Sequence, residues 1–124
     1  MQALFYFPKF VEHQKNKTMI EFLKNLLGAV NSEVKEALKN GAFLVDVRTK
    51  PEFEGGSADG AVNIPLDSVA DNIAKFKSKN QIVVFCHSGA RSGQAKRILE
   101  QNGIENVLNG GGISSILKTI EENG

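Results

Sequence analysis

The sequence predicts an α/β fold in which a small, mostly parallel sheet carries helices on both faces. Short apolar runs alternate along the chain with segments whose apolar residues recur at helical spacing. Two of the runs, Ala42–Val45 and Gln81–Phe85, are almost entirely apolar, as strands buried on both faces are. Polar residues follow these runs, at the edge where open α/β sheets bind their ligands. These observations place a candidate site at the carboxyl ends of the strands.

Size and composition narrow the functional classes. The 124 residues fit one domain. A hydrophobic fraction of 41% and a charged fraction of 23% are ordinary for a globular protein and argue against disorder. The formal net charge of +1 argues against nucleic acid as a partner, because a domain that neutralises many phosphates carries a clear basic excess.

The single cysteine and the first eleven residues indicate where in the cell the protein is expected. One cysteine cannot form an internal disulfide, which favours a cytoplasmic protein. Residues 1–11 are apolar and aromatic, but they lack an early positive charge and are interrupted by Pro8 and Lys9. This pattern is a poor signal peptide and is too short for a transmembrane segment.

We expect the domain to comprise residues 19–124, preceded over residues 1–18 by an apolar head and a polar linker to which the sequence assigns no role. Helical spacing predicts a first helix over 19–27. Asn31-Ser32 is a candidate N-cap for a short second helix, which Gly41 ends.

A strand at 42–45 follows and begins the sheet. After it, Thr49 and Glu52 form a capping-box pattern with Pro51 in the first turn, which predicts a brief helix. A glycine-rich connection then leads to a short strand over 61–66. The remaining predicted elements are a helix capped by Asp67-Ser68, the strand 81–85, a helix that Gly103 ends, a strand over 106–108, a glycine loop over 110–112 and a closing helix from Ile113.

Cys86 ends the second buried strand and is followed by a glycine-containing loop and a helical pattern. In such a position the loop N–H groups and the positive end of a helix dipole stabilise a thiolate, which favours a nucleophile over the commoner buried structural cysteine. Gly89 permits a tight turn, and Arg91 supplies a positive charge suited to an anion. We therefore expect an active-site loop made of Cys86, His87, Ser88, Gly89, Ala90, Arg91 and Ser92.

Other polar residues are assigned supporting roles. His87 is expected beside the thiolate rather than in a metal site, because no other His, Cys or acidic residue stands at ligand spacing. Asp46 and Arg48 share one face of a strand end, where a structural ion pair that anchors loops is favoured over substrate binding. The glycines at 110–112 lack a nucleotide-loop pattern and are expected to let a turn pack close to the cysteine loop.

Three sequence blocks and a fourth that follows them carry a family resemblance. They are Asp46-Val47-Arg48 with Glu52-Phe53, then Gly60 to Leu66, then Cys86-x-x-Gly89-x-Arg91-Ser92, and finally Asn106 to Ile113. Together they resemble the single-domain rhodaneses, a sulfurtransferase family, over about residues 30 to 120. Two positions depart from the family pattern. Ser57 replaces a common histidine, and Ser114-Ser115 stand where an aromatic residue is frequent.

The resemblance implies a three-layer rhodanese-like fold and a sulfurtransferase of the thiosulfate sulfurtransferase type. Cys86 would take a sulfane sulfur from a small anionic donor such as thiosulfate and pass it, as a persulfide, to an acceptor. The acceptor would be cyanide or a thiol, and a sulfur-accepting protein is a further option. Arg91 would help to hold the donor. No cofactor and no metal are expected.

Two alternatives remain open. The architecture also resembles the cysteine phosphatases that control cell division, and arsenate reduction belongs with that alternative. Those enzymes place five residues between cysteine and arginine, whereas this chain has four, a loop better suited to one sulfur atom than to a tetrahedral phosphate. The second alternative is a non-enzymatic persulfide carrier or redox sensor that docks a protein partner, since the same thiolate serves either role.

Overall fold

A computed structural model describes the backbone of residues 2–124 and the side chains of residues 18–124. The chain divides into two compact units, Met1–Ser32 and Glu33–Gly124. In the first unit every described side chain, from residue 18 to residue 32, is exposed. The apolar head at 1–11 lies outside the described side chains. Within residues 2–124, no helix combines the length and the hydropathy that crossing a bilayer requires.

One helix, α1 (Gln2–Lys39), replaces the two short helices and the linker that the sequence predicted. The predicted cap at Asn31-Ser32 was wrong, because these residues lie inside the helix. Asn and Ser cost only a fraction of a kcal/mol relative to Ala in a helix interior, so a cap signal alone does not end a helix. The predicted stop was right. Gly41 has a φ of 81° and follows the last helical turn.

Four parallel strands form one sheet in the second unit and confirm the predicted α/β class. They are β1 (Phe43–Asp46), β2 (Val62–Asn63), β3 (Ile82–Cys86) and β4 (Val107–Gly112), in the spatial order β2-β1-β3-β4. All five residues of β3 are buried, since this strand lies between two others and is covered on both faces. The carboxyl end of β3 is therefore the centre of the candidate site.

The helices after β1 are mostly short. They are α2 (Lys50–Glu54), α3 (Leu66–Val69), a 3-10 turn (Ala70–Asn72), α4 (Ala74–Lys77), α5 (Ala90–Gln101) and α6 (Ile113–Asn123). The capping box at Thr49 and Glu52 is present as predicted and begins α2.

Apolar side chains pack on both faces of the sheet. On one face the core includes Val45, Val84, Cys86, Val69, Phe76, Ala95 and Leu99. On the other face it includes Leu44, Val83, Phe85, Val34, Ala37 and Ile116. Cys86 thus lies on the face that α5 covers.

Two further predicted elements, after β2, differ in kind from the structure. The single helix expected after Asp67-Ser68 is divided into α3, the 3-10 turn and α4, with Pro65 at the N-cap position of α3. Val69 and Phe76 are both fully buried, on the face of the sheet that α5 covers. The glycines at 110–112, predicted as a loop, continue β4.

Candidate active site around Cys86

Cys86 is the last residue of β3, and only 1% of it is exposed. The chain turns sharply after it because Gly89 has a φ of 99°, a conformation that residues with a side chain rarely adopt. α5 begins at Ala90. The structure therefore places the thiol between the carboxyl end of a central strand and the amino end of a twelve-residue helix.

Two polar groups of the loop lie within hydrogen-bonding distance of the sulfur. The N–H of Gly89 donates to Sγ of Cys86 at 2.9 Å, and the hydroxyl of Ser92 lies 3.5 Å from the same atom. Burial acts to raise the pKa of Cys86, but the Ser92 hydroxyl and the N–H groups of Ser92, Gly89 and Ser88 outweigh it, so the pKa is lowered. A lowered pKa raises the thiolate fraction at neutral pH, as a nucleophile requires.

Asn109 connects the thiol loop to β4. Its Oδ1 lies 2.7 Å from the Ser92 hydroxyl and accepts the N–H of Gly111 at 2.9 Å, while its Nδ2 donates to the carbonyl of Gly89 at 3.2 Å. The Ser92 hydroxyl has one proton for three acceptors, since the Gly89 carbonyl is also within 3.1 Å. Asn109 therefore competes with the sulfur for that proton. Asn109 was not predicted as a site residue, although it stands in the fourth family block, because a single amide side chain gives no local signal.

The glycine turn of β4 touches the thiol loop, as the sequence predicted. A Cβ on Gly112 would lie 2.5 Å from the carbonyl oxygen of His87, and a Cβ on Gly89 would lie 3.4 Å from Cα of Gly111. A Cβ on Gly110 would meet Ile116 and Val83 within 3 Å. Only chain segments without side chains pack this closely, so Gly89 and Gly112 bring β4 against the loop, whereas Gly110 lets β4 pack against β3 and α6.

Arg91 forms a two-pronged ion pair with Glu52 of α2. Its Nη1 and Nη2 donate to Oε1 and Oε2 of Glu52 at 2.7 and 3.0 Å. The hydrogen bonds from Arg91, followed by those from Thr49, lower the pKa of Glu52 to about 2, and the same pairing raises the pKa of Arg91. Glu52 belongs to the predicted capping box and to a family block, but its pair with Arg91 joins residues 39 positions apart and has no signal in the sequence.

Asp46 and Arg48 form a buried ion pair beneath the loops. The carboxylate is fully buried and accepts the Nε and Nη2 groups of Arg48 at 2.8 to 3.1 Å. It also accepts the hydroxyl of Ser57 at 2.7 Å, and Arg48 donates to the carbonyl of Gly56 at 2.8 Å. These contacts fix the connection after α2 and support an anchoring role rather than substrate contact.

The other loop side chains face solvent. His87, Ser88 and Ala90 are exposed. Among the side chains of residues 18–124, no group of three or more His, Cys, Asp and Glu residues is arranged to hold a metal ion. A cavity of about 770 Å³ lies at the amino ends of β1 and β3, and none of its lining residues comes from the Cys86 loop. The candidate site is thus defined by the loop geometry and not by this cavity.

Comparison with known proteins agrees with this geometry. A profile of the family described as Rhodanese-like domain matches residues 30–118. Thiosulfate sulfurtransferase PspE of Escherichia coli is 42% identical over 74 residues, which are 58% of this chain and 71% of PspE. Thiosulfate sulfurtransferase GlpE of Pseudomonas aeruginosa is 36% identical over 81 residues, covering 64% of this chain and 74% of GlpE.

A solved structure gives the same result for the fold. The human single-domain sulfurtransferase superposes with a TM-score of 0.59 and 26% identity, covering 70% of this chain and 91% of that protein. The family match includes all four strands and the Cys86 loop. Because it covers well over half of the sequence, the chain belongs to the rhodanese-like domain family.

Proposed function

We propose that Cys86 takes a sulfane sulfur from a small anionic donor such as thiosulfate and passes it to cyanide or a thiol. The observation that carries this proposal is the loop itself. Gly89 donates its N–H to the sulfur at 2.9 Å, and only four residues separate Cys86 from Arg91. A loop of this size offers several N–H groups to a single sulfur atom.

The class of enzyme rests on the family and on the relatives. The chain is a sulfurtransferase of the rhodanese type, and both PspE and GlpE are thiosulfate sulfurtransferases. The donor, the acceptor and the covalent intermediate are our proposal for this chain. We also propose that it works in the cytoplasm, where a reactive thiol is kept reduced.

The proposed reaction has two displacement steps. The Cys86 thiolate attacks the outer sulfur of thiosulfate, so that a new S–S bond forms and sulfite leaves with the electron pair of the old one. Cyanide then attacks the terminal sulfur of the persulfide. A C–S bond forms, the S–S bond breaks, thiocyanate departs and the thiolate is restored. No external oxidant or reductant is needed.

The residues around the sulfur have distinct roles in this scheme. The N–H of Gly89 and the hydroxyl of Ser92 stabilise the negative charge on Cys86 before attack and after release. His87 and Ser88 are exposed residues of the loop, and in this scheme they border the approach of donor and acceptor. Since only 1% of Cys86 is exposed, small molecules reach the sulfur more readily than a folded protein does.

The test combines mass spectrometry with turnover. We expect thiosulfate to add the mass of one sulfur atom to the protein, cyanide to remove it, and thiocyanate to form continuously. Cys86→Ser should abolish all three. If the added sulfur is stable and no turnover is observed, the protein is a persulfide carrier and not an enzyme. Absence of the adduct, or hydrolysis of an aryl phosphate that Cys86→Ser abolishes, would overturn the proposal.

A further inference from the structure

The charge of Arg91 is already compensated before any substrate binds. Both of its terminal nitrogens donate to Glu52, and the two side chains are each 35% exposed. Glu52 is itself held in place, because its Oε1 accepts the N–H of Thr49 at 3.1 Å and the Thr49 hydroxyl at 2.9 Å. The capping box of α2 therefore fixes the carboxylate that orients Arg91.

The positive charge of Arg48 is also compensated by a carboxylate. Arg48 is paired with Asp46, so the two arginines and the two carboxylates together carry no net charge. Arg91 nevertheless keeps N–H groups that Glu52 does not use, since a guanidinium has five donors and the pair occupies two. An anion that contacts these N–H groups would therefore meet hydrogen-bond donors whose positive charge is already compensated.

We propose that Glu52 is a specificity-determining residue, which by pairing with Arg91 weakens the preference of the site for doubly charged sulfur donors over singly charged ones. This inference rests on the proposed sulfur transfer at Cys86. Glu52 touches neither the sulfur nor the donor in this scheme, and it acts through Arg91 as a positioning residue.

The effect of Glu52 on binding should depend on the charge of the sulfur donor, and this dependence can be measured. Coulomb energy is proportional to the charge of the ligand, so removing the Glu52 charge helps a dianion twice as much, in free energy, as a monoanion. For Glu52→Gln we expect the KM for thiosulfate to fall roughly fivefold, whereas the KM for the monoanion benzenethiosulfonate falls roughly twofold at low ionic strength. The maximal rates should change much less than the KM values.

The variant and its control are closely matched. Gln preserves the shape of Glu52 and can accept the N–H of Thr49, so the helix start is retained. Glu54→Gln removes the same charge from the same short helix, but Glu54 lies 3.9 Å from Lys50 and not beside Arg91. We expect Glu54→Gln to leave the ratio of the two KM values unchanged. An equal change of that ratio in both variants, or a raised thiosulfate KM in Glu52→Gln, would overturn the proposal.

A second readout does not depend on sulfur transfer. Iodoacetate and iodoacetamide both alkylate Cys86, with formation of a C–S bond and loss of iodide, but only iodoacetate is charged. The rate of iodoacetate relative to iodoacetamide should rise roughly twofold in Glu52→Gln and stay constant in Glu54→Gln. An unchanged ratio would refute the role of Glu52. A raised ratio in a protein without turnover would refute the proposed function alone.

Discussion

Gly112→Ala tests whether the close approach of β4 fixes the thiol loop. The backbone of Gly112, with φ −86° and ψ 157°, is ordinary extended chain that alanine adopts without strain. The difficulty is space, because the new Cβ would lie 2.5 Å from the carbonyl oxygen of His87 and 3.4 Å from Cα of Ser88. Both obstacles are backbone atoms that no rotamer change can move aside.

The geometry sets the size of the expected effect. Real Cβ atoms are essentially never found closer than 3.0 Å to such a neighbour, so the loop and β4 must separate by at least about 0.5 Å. Overpacking of this kind typically lowers the free energy of unfolding by about 1–3 kcal/mol. A misplacement of about 1 Å can reduce catalysis about 100-fold, and for half that distance we expect about a tenfold fall in kcat/KM.

Two measurements and one control decide the outcome. Urea unfolding gives the change in stability, and thiocyanate formation gives kcat/KM. Gly28→Ala is the control, because a Cβ there would meet nothing within 4 Å inside α1. It should stabilise the helix by about 0.5–1 kcal/mol and leave activity unchanged. Wild-type kcat/KM in a Gly112→Ala protein, at any stability, would refute the idea that this contact positions the loop.

Two further predictions concern hydrogen bonds of the site. Because its hydroxyl helps to lower the pKa of Cys86, Ser92→Ala should raise that pKa, so that the thiolate is lost at a higher pH as the solution is acidified. In Ser92→Ala the pH profile of iodoacetamide alkylation should therefore shift to higher pH. Ser88→Ala, which changes an exposed side chain, is the control and should leave the profile unchanged. Superimposable profiles for Ser92→Ala and the wild type would contradict this reasoning. Arg48→Met leaves the buried carboxylate of Asp46 without its cation and should lower the free energy of unfolding by about 3–5 kcal/mol. Lys50→Met removes the cation of an exposed pair with Glu54 and should lower it by about 0.5 kcal/mol or less. Comparable urea midpoints for these two variants would show that the buried pair is not the stronger anchor.

Several features could be read from the sequence because their signals are local. The strand before Cys86 is an uninterrupted apolar run, and the capping box joins Thr49 to Glu52, only three positions away. The stop at Gly41 depends on the backbone freedom of one residue. Asp46 is the last residue of β1 and Arg48 stands two positions later, so their pairing followed from the alternation of side chains along an extended chain.

The errors arose where a local sequence signal does not decide the structure by itself. The cap signal at Asn31-Ser32 failed because the helical hydrogen bonds continue through it. The helix expected after Asp67 is interrupted by a 3-10 turn over Ala70–Asn72, for which the apolar spacing gives no signal. The glycines of β4 have weak strand preference, yet they extend the strand because only they allow it to lie so close to its neighbours.

The sequence by itself determined the fold family and the position of Cys86 at a strand end, because apolar periodicity, turn glycines and block order are encoded within short stretches. Only the tertiary structure decided the surroundings of the sulfur. Asn109 reaches Ser92 across 17 positions, and Glu52 reaches Arg91 across 39. Such pairs leave no periodic or local trace, since their partners meet only after the strands are ordered in the sheet. The positive charge that the sequence assigned to the loop is therefore a compensated one, and this alters which donors the site is expected to favour.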